Sequence, residues 1–291
     1  MTFPNFLILG AQKSGTSWLA EMLAHHPDVY MAPQEIHFFD KGENFDKGEA
    51  WYANHFRNCG KAKESGQGGE GGVDRGVKRI GEKTPDYFAP DKALAEDHQP
   101  GIHTRIHTLL PDARFILVLR EPALRAVSAV QHLIRTKRAN PLLSIDSLLV
   151  GKGRRVTDPH GVIEYGYYMQ HLERFLERYS RDRFLILIYE EDVVGTPAMA
   201  LRRTCDFLGI DASFTFEGMD SRVNPMRGSR AGLAVAYYMP RMRKVVGWLD
   251  RRLEVDKRRP KPETMAELKR LYAPENERLF KFLGRRIPAW E

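Results

Sequence analysis

The sequence predicts an α/β fold in which a parallel sheet is covered by helices on both faces. Three short apolar runs carry this prediction: residues 5–10 (NFLILG), 114–121 (RFILVLRE) and 182–192 (DRFLILIYEED). Each run leads into a segment whose apolar residues recur three and four positions apart, as on a helix that buries one face. Continuous apolar strands that alternate with helices are typical of a buried parallel sheet.

The elements follow in order along the chain. The first run stops at Gly10, and the helix after it has apolar residues at Trp18, Leu19, Met22 and Leu23. The second run passes through Pro122 into a helix at 123–136, and the third passes Pro197 into a helix at 198–210. Proline fits the first turn of a helix, so both positions favour a helix start.

Two further segments differ from this alternation. Residues 60–81 are rich in glycine and charge and have no apolar periodicity, which predicts a mobile surface excursion without a chemical role. Residues 262–284 have the pattern of two short amphipathic helices that are broken at Pro274.

Composition limits the class of protein. With 291 residues, of which 42% are hydrophobic and 29% charged, the chain is expected to form one globular domain over 1–291 rather than a disordered or fibrous protein. The net charge of +7 suits an anionic ligand, an anionic polymer, a nucleic acid or an acidic membrane equally well. Much of the charge lies in residues 240–261, where a solvated helix face is the favoured interpretation.

The cysteines and the N-terminal residues indicate the cellular compartment in which the protein is expected. The two cysteines, Cys59 and Cys205, are far apart and have no partner at zinc-ligand spacing, so neither a disulfide framework nor a structural zinc is expected. The apolar run near the start is too short for a signal sequence or a membrane span, so a cytoplasmic protein without a transmembrane segment is expected.

The segment GAQKSGTS, at residues 10–17, has the frame of a phosphate-binding loop between a strand and a helix. In that context backbone N–H groups and the helix N-terminus converge on an anion. Thr16 follows the second glycine where a nucleoside triphosphatase needs lysine, whereas Lys13 comes earlier. An earlier lysine suits a donor that has a 5′-phosphosulfate and no γ-phosphate.

These residues also carry a resemblance. Residues 6–40 (FLILGAQKSGTSWLAEMLAHHPDVYMAPQEIHFFD) resemble the start of the PAPS-dependent carbohydrate sulfotransferases, in particular the heparan sulfate 3-O- and N-sulfotransferase type, where PAPS is 3′-phosphoadenosine-5′-phosphosulfate. Further segments agree in order: 45–56, 81–88, 114–132, 167–179 and 273–290. The resemblance implies a P-loop-like three-layer fold with a mainly parallel five-stranded sheet flanked by helices. It also implies PAPS as co-substrate, 3′,5′-ADP as product, and no metal requirement.

The resemblance also assigns the donor site, residue by residue. The 5′-phosphosulfate loop becomes Lys13, Ser14, Gly15, Thr16 and Ser17. Arg120 and Ser128 take the positions that contact the 3′-phosphate, and an arginine fork with a hydroxyl suits a phosphate dianion. A loop that closes over the nucleotide maps to Arg227, Gly228 and Ser229. Arg227 stands there where a lysine is common and Ser229 where an arginine is common, and no cysteine pair precedes the loop.

The same resemblance places the catalytic carboxylate at Glu35. His37, two residues later, is a supporting group or an alternative base, since both point to the same side of an extended segment. Lys13 and Lys83 are the cations for the transferring sulfonate, and acceptor contacts fall on Asp40, Lys83 and Tyr87. A carboxylate beside lysines has a low pKa, so Glu35 needs burial or closure to act as a base.

Three questions stay open at this point. A P-loop kinase that uses Mg-ATP is an alternative, with Glu190 and Glu191 as metal carboxylates, although they more simply end a strand. A polyanion-binding module at 240–261 is the other alternative, but the sequence has no signature of a nucleic-acid fold and no nucleic-acid partner is expected. The acceptor is a hydroxyl or amine of a carbohydrate or other small molecule. Four aromatic residues form either its platform or part of the core: Trp51, Tyr52, Tyr87 and Phe88.

Overall fold

The structure is a computed structural model of the chain and describes residues 1–59, 77–90, 100–219, 230–239 and 259–291. The fold groups into two compact units. The first comprises Met1–Arg120 with Gln170–Ser221, and the second comprises Glu121–Met169 with Arg222–Glu291. The single domain that the sequence suggests stays a prediction.

The first unit is built on a parallel sheet. Five strands lie in the order β2-β3-β1-β4-β5 among the described residues, and every neighbouring pair is parallel. All five residues of β1 are buried, as expected for a strand with covered faces. The predicted α/β class and five-stranded sheet are therefore confirmed. The strands are β1 (Phe6–Gly10), β2 (Val29–Met31), β3 (Arg79–Lys83), β4 (Arg114–Leu119) and β5 (Phe184–Ile188).

Two strand boundaries differ from the sequence prediction. The excursion predicted for 60–81 extends too far, because residues 79–81 belong to β3 and Gly81 pairs with Phe6 of β1. Residues 60–76 lie outside the described part of the chain. The third apolar run does not remain a strand to 192. It ends at Ile188, and a π-helical turn follows over Tyr189–Gly195.

Helices occur in both units. In the first unit they are α1 (Thr16–His25), α2 (Gly42–Phe45), α3 (Gly48–Asn54), α4 (Ile102–Leu109) and α9 (Pro197–Leu208). The second unit contains α5 (Pro122–Arg135), α6 (Ile145–Leu149), α7 (Arg154–Thr157), α10 (Arg230–Tyr238) and α11 (Pro262–Leu283). Helix α8 (Tyr168–Leu176) begins in the second unit and continues in the first. The helices predicted after the three apolar runs are thus present.

The second unit corrects the prediction of two C-terminal helices. Helix α11 is continuous and has Pro274 in its interior. Proline removes one backbone hydrogen bond and usually kinks a helix. Here the buried face continues on both sides of it, with Leu268 and Tyr272 before and Leu279 after, and the Tyr272 hydroxyl donates to the Ile163 carbonyl at 2.8 Å. Tertiary packing therefore outweighs the local break.

Two remaining expectations concern the compartment. Cys59 and Cys205 are both free thiols. None of the helices in the described ranges combines the length and apolar character that a membrane crossing requires. The cytoplasmic location stays a prediction.

Candidate active site

The phosphate-binding loop connects β1 to α1. Lys13 and Gly15 have left-handed φ angles of 70° and 95°, and Gly15 is the N-cap of α1. A left-handed lysine is strained, and such strain is concentrated at functional sites. The loop ends at the N-terminus of α1, where backbone N–H groups and the helix dipole favour an anion. Ser14 is fully buried, and its hydroxyl has no hydrogen-bond partner among the described residues.

A tyrosine that sequence reasoning missed supports this loop. A Cβ atom on Gly15 would lie 3.0 Å from Cδ2 of Tyr189, the first residue of the π-helical turn. The Arg120 guanidinium lies 4.9 Å from the centre of the same ring, and its Nη1 donates to the Lys13 carbonyl at 3.3 Å. Arg120 is therefore held at the loop. The only signal in the sequence was an aromatic residue directly after the third apolar run.

The remaining donor-site predictions have different outcomes. Arg120 Nε lies 4.0 Å from Glu190 Oε1, so Glu190 pairs with Arg120 and is not a fully solvated strand end. Ser128 is half-buried on the second turn of α5, in the second unit. Arg227, Gly228 and Ser229 lie outside the described residues. The roles of Arg120 and Ser128 toward a 3′-phosphate stay predictions.

Three of the four predicted catalytic residues, Glu35, His37 and Lys83, lie close together. Lys83, the last residue of β3, donates from Nζ to Glu35 Oε1 at 2.6 Å and to Ser17 Oγ at 3.3 Å. His37 Nε2 lies 3.5 Å from the other Glu35 oxygen, and His37 Nδ1 is 2.8 Å from Asp40 Oδ2. One lysine thus connects the phosphate loop to the carboxylate, and one imidazole connects the two carboxylates.

These contacts set the charge of each group. Burial raises the pKa of Glu35, but the hydrogen bonds and charges of His37 and Lys83 outweigh it and lower that pKa to about 2. The hydrogen bonds to Asp40 and Glu35 raise the pKa of His37 to about 10 against the opposing effect of burial. At neutral pH the site therefore contains an ionised Glu35 and an imidazolium at His37. A protonated His37 cannot accept a proton from an acceptor.

Aromatic residues beside the site belong mainly to the core. Tyr52, Tyr87 and Phe88 are at most 1% exposed, whereas Trp51 is half-buried with Lys47 Nζ 4.6 Å from the centre of its ring. The Tyr87 hydroxyl already bonds within the protein, so a direct acceptor contact by Tyr87 does not follow from this geometry. Of the four, only Trp51 remains a candidate platform.

Gln12 and Asp86 are a pair that the sequence did not indicate. Gln12 Nε2, in the phosphate loop, donates to Asp86 Oδ1 at 3.1 Å. Burial, followed by the negative charge of Asp40, raises the pKa of Asp86. His37, Asp40 and Asp86 offer atoms within 4.8 Å of one another, a spacing that a metal ion can use. Both ring nitrogens of His37 already contact carboxylates, Nδ1 with Asp40 and Nε2 with Glu35, so a metal bound to this ring would have to replace one of those contacts.

The kinase alternative can be examined at the end of β5. Asp192 accepts from the Ile188 N–H at 2.6 Å and pairs with Arg203 Nη1 at 2.6 Å. Both of its oxygens are thus engaged, and Asp192 is buried. Position 16 holds threonine at the first residue of α1. Asp192 is thus engaged by protein partners, and the lysine of a nucleoside triphosphatase loop is absent at position 16, neither of which favours a kinase.

Comparisons with known proteins indicate the family of the chain. Residues 3–229 match the family model described as "Sulfotransferase domain". Human heparan sulfate glucosamine 3-O-sulfotransferase 6 is 30% identical over 292 positions, covering 97% of this chain and 72% of that protein. Its mouse counterpart is 32% identical over 208 residues, covering 72% of this chain but only 53% of its own length.

A solved structure is similar over the whole chain. The sulfotransferase from Alicyclobacillus acidocaldarius matches with a TM-score of 0.68 and 26% identity, covering 100% of this chain and 99% of that one. By contrast, the chain spans about half the length of several curated relatives, including 47% of human heparan sulfate glucosamine 3-O-sulfotransferase 3B1, to which it is 32% identical over 73% of its own length.

Proposed function

Since the chain belongs to the sulfotransferase domain family, we propose that it transfers the sulfuryl group of PAPS to a hydroxyl or amine of an acceptor. The single observation that carries the proposal is the position of Lys83. Its ammonium bonds both the phosphate-loop hydroxyl of Ser17 and the carboxylate of Glu35. A cation between an anion-binding loop and a carboxylate suits the transfer of an anionic group from that loop to a nucleophile beside the carboxylate.

The donor site uses the loop of residues 13–17 for the 5′-phosphosulfate. Its N–H groups lie at the N-terminus of α1, and Lys13 and Lys83 supply positive charge to the moving sulfonate. Arg120, held over Tyr189, binds the 3′-phosphate. Ser128 is assigned to this phosphate by the sequence resemblance alone. The proposal includes 3′,5′-ADP as product, a cytoplasmic location, and no requirement for a metal ion or a nucleic acid.

Glu35 acts as the general base in this proposal. We assign this role to Glu35 rather than to His37 because the neighbours of His37 raise its pKa to about 10, which keeps the imidazole protonated at neutral pH. Glu35 has a pKa of about 2 while both Lys83 and His37 bond it, which makes it a weak base. When Lys83 turns to the sulfonate, Glu35 loses that partner and its pKa rises. Donor binding would thereby prepare the base.

The transfer step is an in-line displacement. The acceptor O–H proton moves to a Glu35 oxygen while the acceptor oxygen forms a bond to sulfur. The bond between sulfur and the bridging oxygen breaks, and its electron pair leaves with the phosphate of 3′,5′-ADP. Lys13 and Lys83 stabilise the oxygens that gain charge, and His37 keeps Glu35 oriented.

The acceptor class in this proposal is taken from the names of the relatives. The curated relatives named above are heparan sulfate glucosamine 3-O-sulfotransferases. We extend this to a carbohydrate or other small molecule for the present chain. Incubation with labelled PAPS and panels of oligosaccharides, phenols, alcohols and amines should transfer label to carbohydrate. If label appeared only on phenols, alcohols or amines, the carbohydrate acceptor would be wrong, and only the use of PAPS as donor would stand.

The variant Glu35→Gln tests the base. It should bind 3′,5′-ADP about as tightly as the wild type in calorimetry, whereas turnover should fall by about 10²-fold or more, the scale of losing a general base. Glu43→Gln, on the exposed side of α2, is the matched control and should leave turnover unchanged. Full activity of Glu35→Gln would remove this role.

The donor is tested separately by thermal shift. Addition of 3′,5′-ADP without Mg²⁺ should raise the midpoint of unfolding, because a ligand that binds only the folded state stabilises it. A response to Mg-ATP in place of 3′,5′-ADP would favour the kinase alternative instead.

A further inference from the structure

The backbone at His37 is strained and clamped. His37 has a left-handed φ of 54°, which is unfavourable for a residue with a Cβ. Asn44 Nδ2 donates to the carbonyl of His37 at 3.1 Å and to that of Ile36 at 3.2 Å. The N–H of Phe38 donates to the Tyr87 hydroxyl oxygen at 2.9 Å. The His37 carbonyl and the Phe38 N–H belong to one peptide unit, so both ends of that plane are held.

The Tyr87 hydroxyl is itself oriented by a buried carboxylate. Because its oxygen accepts from Phe38, its single proton is directed to Glu82 Oε1, 2.8 Å away. Glu82 lies next to Lys83 on β3 and is 0% exposed. Tyr52 donates to its other oxygen at 2.5 Å, and Thr84 donates to Oε1 at 2.7 Å. Three hydroxyl donors on two oxygens satisfy this carboxylate and give it one fixed position.

We propose that Tyr87, oriented by Glu82, and Asn44 are positioning residues that fix the His37–Phe38 peptide plane and so hold the His37 imidazole between Glu35 and Asp40. If either clamp is removed, the left-handed backbone at His37 can relax toward negative φ. The imidazole then moves away from at least one carboxylate. The consequence for turnover rests on the proposed role of Glu35, but the position of the ring does not.

Tyr52 provides a matched control for Tyr87. Both phenols are 0% exposed, both rings contact Phe39, and both hydroxyls donate to Glu82. Only Tyr87 also bonds the peptide after His37. The variants Tyr87→Phe and Tyr52→Phe therefore remove a hydroxyl of the same kind from the same buried carboxylate. If the Tyr87 hydroxyl only satisfied the buried Glu82 carboxylate, Tyr87→Phe and Tyr52→Phe would have the same effect on His37.

The experiment is a proton NMR titration of His37 in the full chain, with its signal assigned by its loss in His37→Asn. The groups that face the imidazole are Glu35, Asp40 and Lys41 from its own segment and Asp86 from the turn after β3. Tyr87→Phe should lower the pKa of His37 from about 10 by one unit or more. Tyr52→Phe should leave it within a few tenths of the wild-type value. Equal shifts in both variants would overturn the proposal.

A second readout uses turnover. Tyr87→Phe should lower kcat by about 10- to 100-fold with little change in KM for PAPS, since a displacement of about 1 Å can cost 10²-fold. If Tyr87→Phe does not fold, Asn44→Ala, half-buried on α2, tests the other end of the peptide. A folded Asn44→Ala whose His37 keeps its pKa would then overturn the proposal. Because the titration needs no substrate, it decides this point even if Glu35→Gln proves fully active.

Discussion

Substitution of Gly15 by alanine tests the contact between the phosphate loop and the turn after β5. Gly15 has a φ of 95°, and the new Cβ would lie 3.0 Å from Cδ2 and 3.1 Å from Cε2 of Tyr189. Both distances are shorter than ordinary carbon contacts. The Tyr189 ring must therefore move by a few tenths of an ångström, and Arg120, which stacks on it, must adjust too.

A comparison with Gly48 separates the loss of stability due to backbone strain from the loss due to the contact with Tyr189. Gly48 has a φ of 79°, but no described atom lies within 4 Å of its virtual Cβ. A left-handed φ costs about 1–2 kcal/mol for a residue with a side chain, and alanine recovers about 0.4–1 kcal/mol by stiffening the unfolded chain. Gly48→Ala should therefore lose about 1 kcal/mol of stability. Overpacking adds about 1–3 kcal/mol, so Gly15→Ala should lose about 2–4 kcal/mol.

Urea unfolding of the two variants and the wild type measures these losses, and calorimetry with 3′,5′-ADP measures the site. Gly15→Ala should be destabilised more than Gly48→Ala and should also bind the nucleotide at least 10-fold more weakly, whereas Gly48→Ala should bind it normally. If the two alanines cost the same and Gly15→Ala binds normally, then Tyr189 does not support the loop in solution.

Two further predictions concern charge. A histidine whose pKa is raised from 6.5 to about 10 on folding adds stability that is fully present below pH 6.5 and is lost as the pH rises through about 10. Between pH 7 and 10 the wild type should thus lose up to about 1.4 kcal/mol per pH unit more than His37→Asn, in urea unfolding at each pH. A constant difference between the two proteins would contradict the ion pairs of His37 with Glu35 and Asp40. Arg120→Ala should weaken calorimetric binding of 3′,5′-ADP by about 10- to 100-fold and that of 5′-AMP much less, and equal losses would remove its assignment to the 3′-phosphate.

The sequence predicted the strands that are apolar throughout and missed those that are not. The strands β1, β4 and β5 are continuous hydrophobic runs, which is the signal of a strand buried on both faces. The short β2 has three residues, and β3 reads RIGEK, with charge at both ends. Glu82 can be buried in β3 because three hydroxyl groups donate hydrogen bonds to its carboxylate. The periodicity of apolar residues gives no information about those hydrogen-bond donors.

In the candidate site, too, some residues were predicted from the sequence and others were missed. The resemblance gave Glu35, His37, Asp40 and Lys83 as candidates, and the structure brings these four side chains into contact. It named Tyr87 only as an acceptor contact and did not indicate the other residues that orient these side chains. Tyr87 bonds a peptide 49 residues away, and Tyr189 packs on a loop more than 170 residues away along the chain. Such contacts depend on the completed sheet.

The alternation of side chains along β3 has a consequence for how the site tolerates change. Glu82 pairs in register with Leu7 and faces inward, whereas Lys83 pairs with Ile8 and faces the phosphate loop. A shift of one residue in this strand would exchange the two faces, placing the ammonium in the core and the carboxylate beside the anion. A point substitution in β3 changes one side chain and can therefore have a small or a large effect on the site. An insertion or deletion in β3 should remove both the buried Glu82 carboxylate that orients Tyr87 and the Lys83 ammonium beside the phosphate loop. The spacing of residues within this strand is therefore required for function.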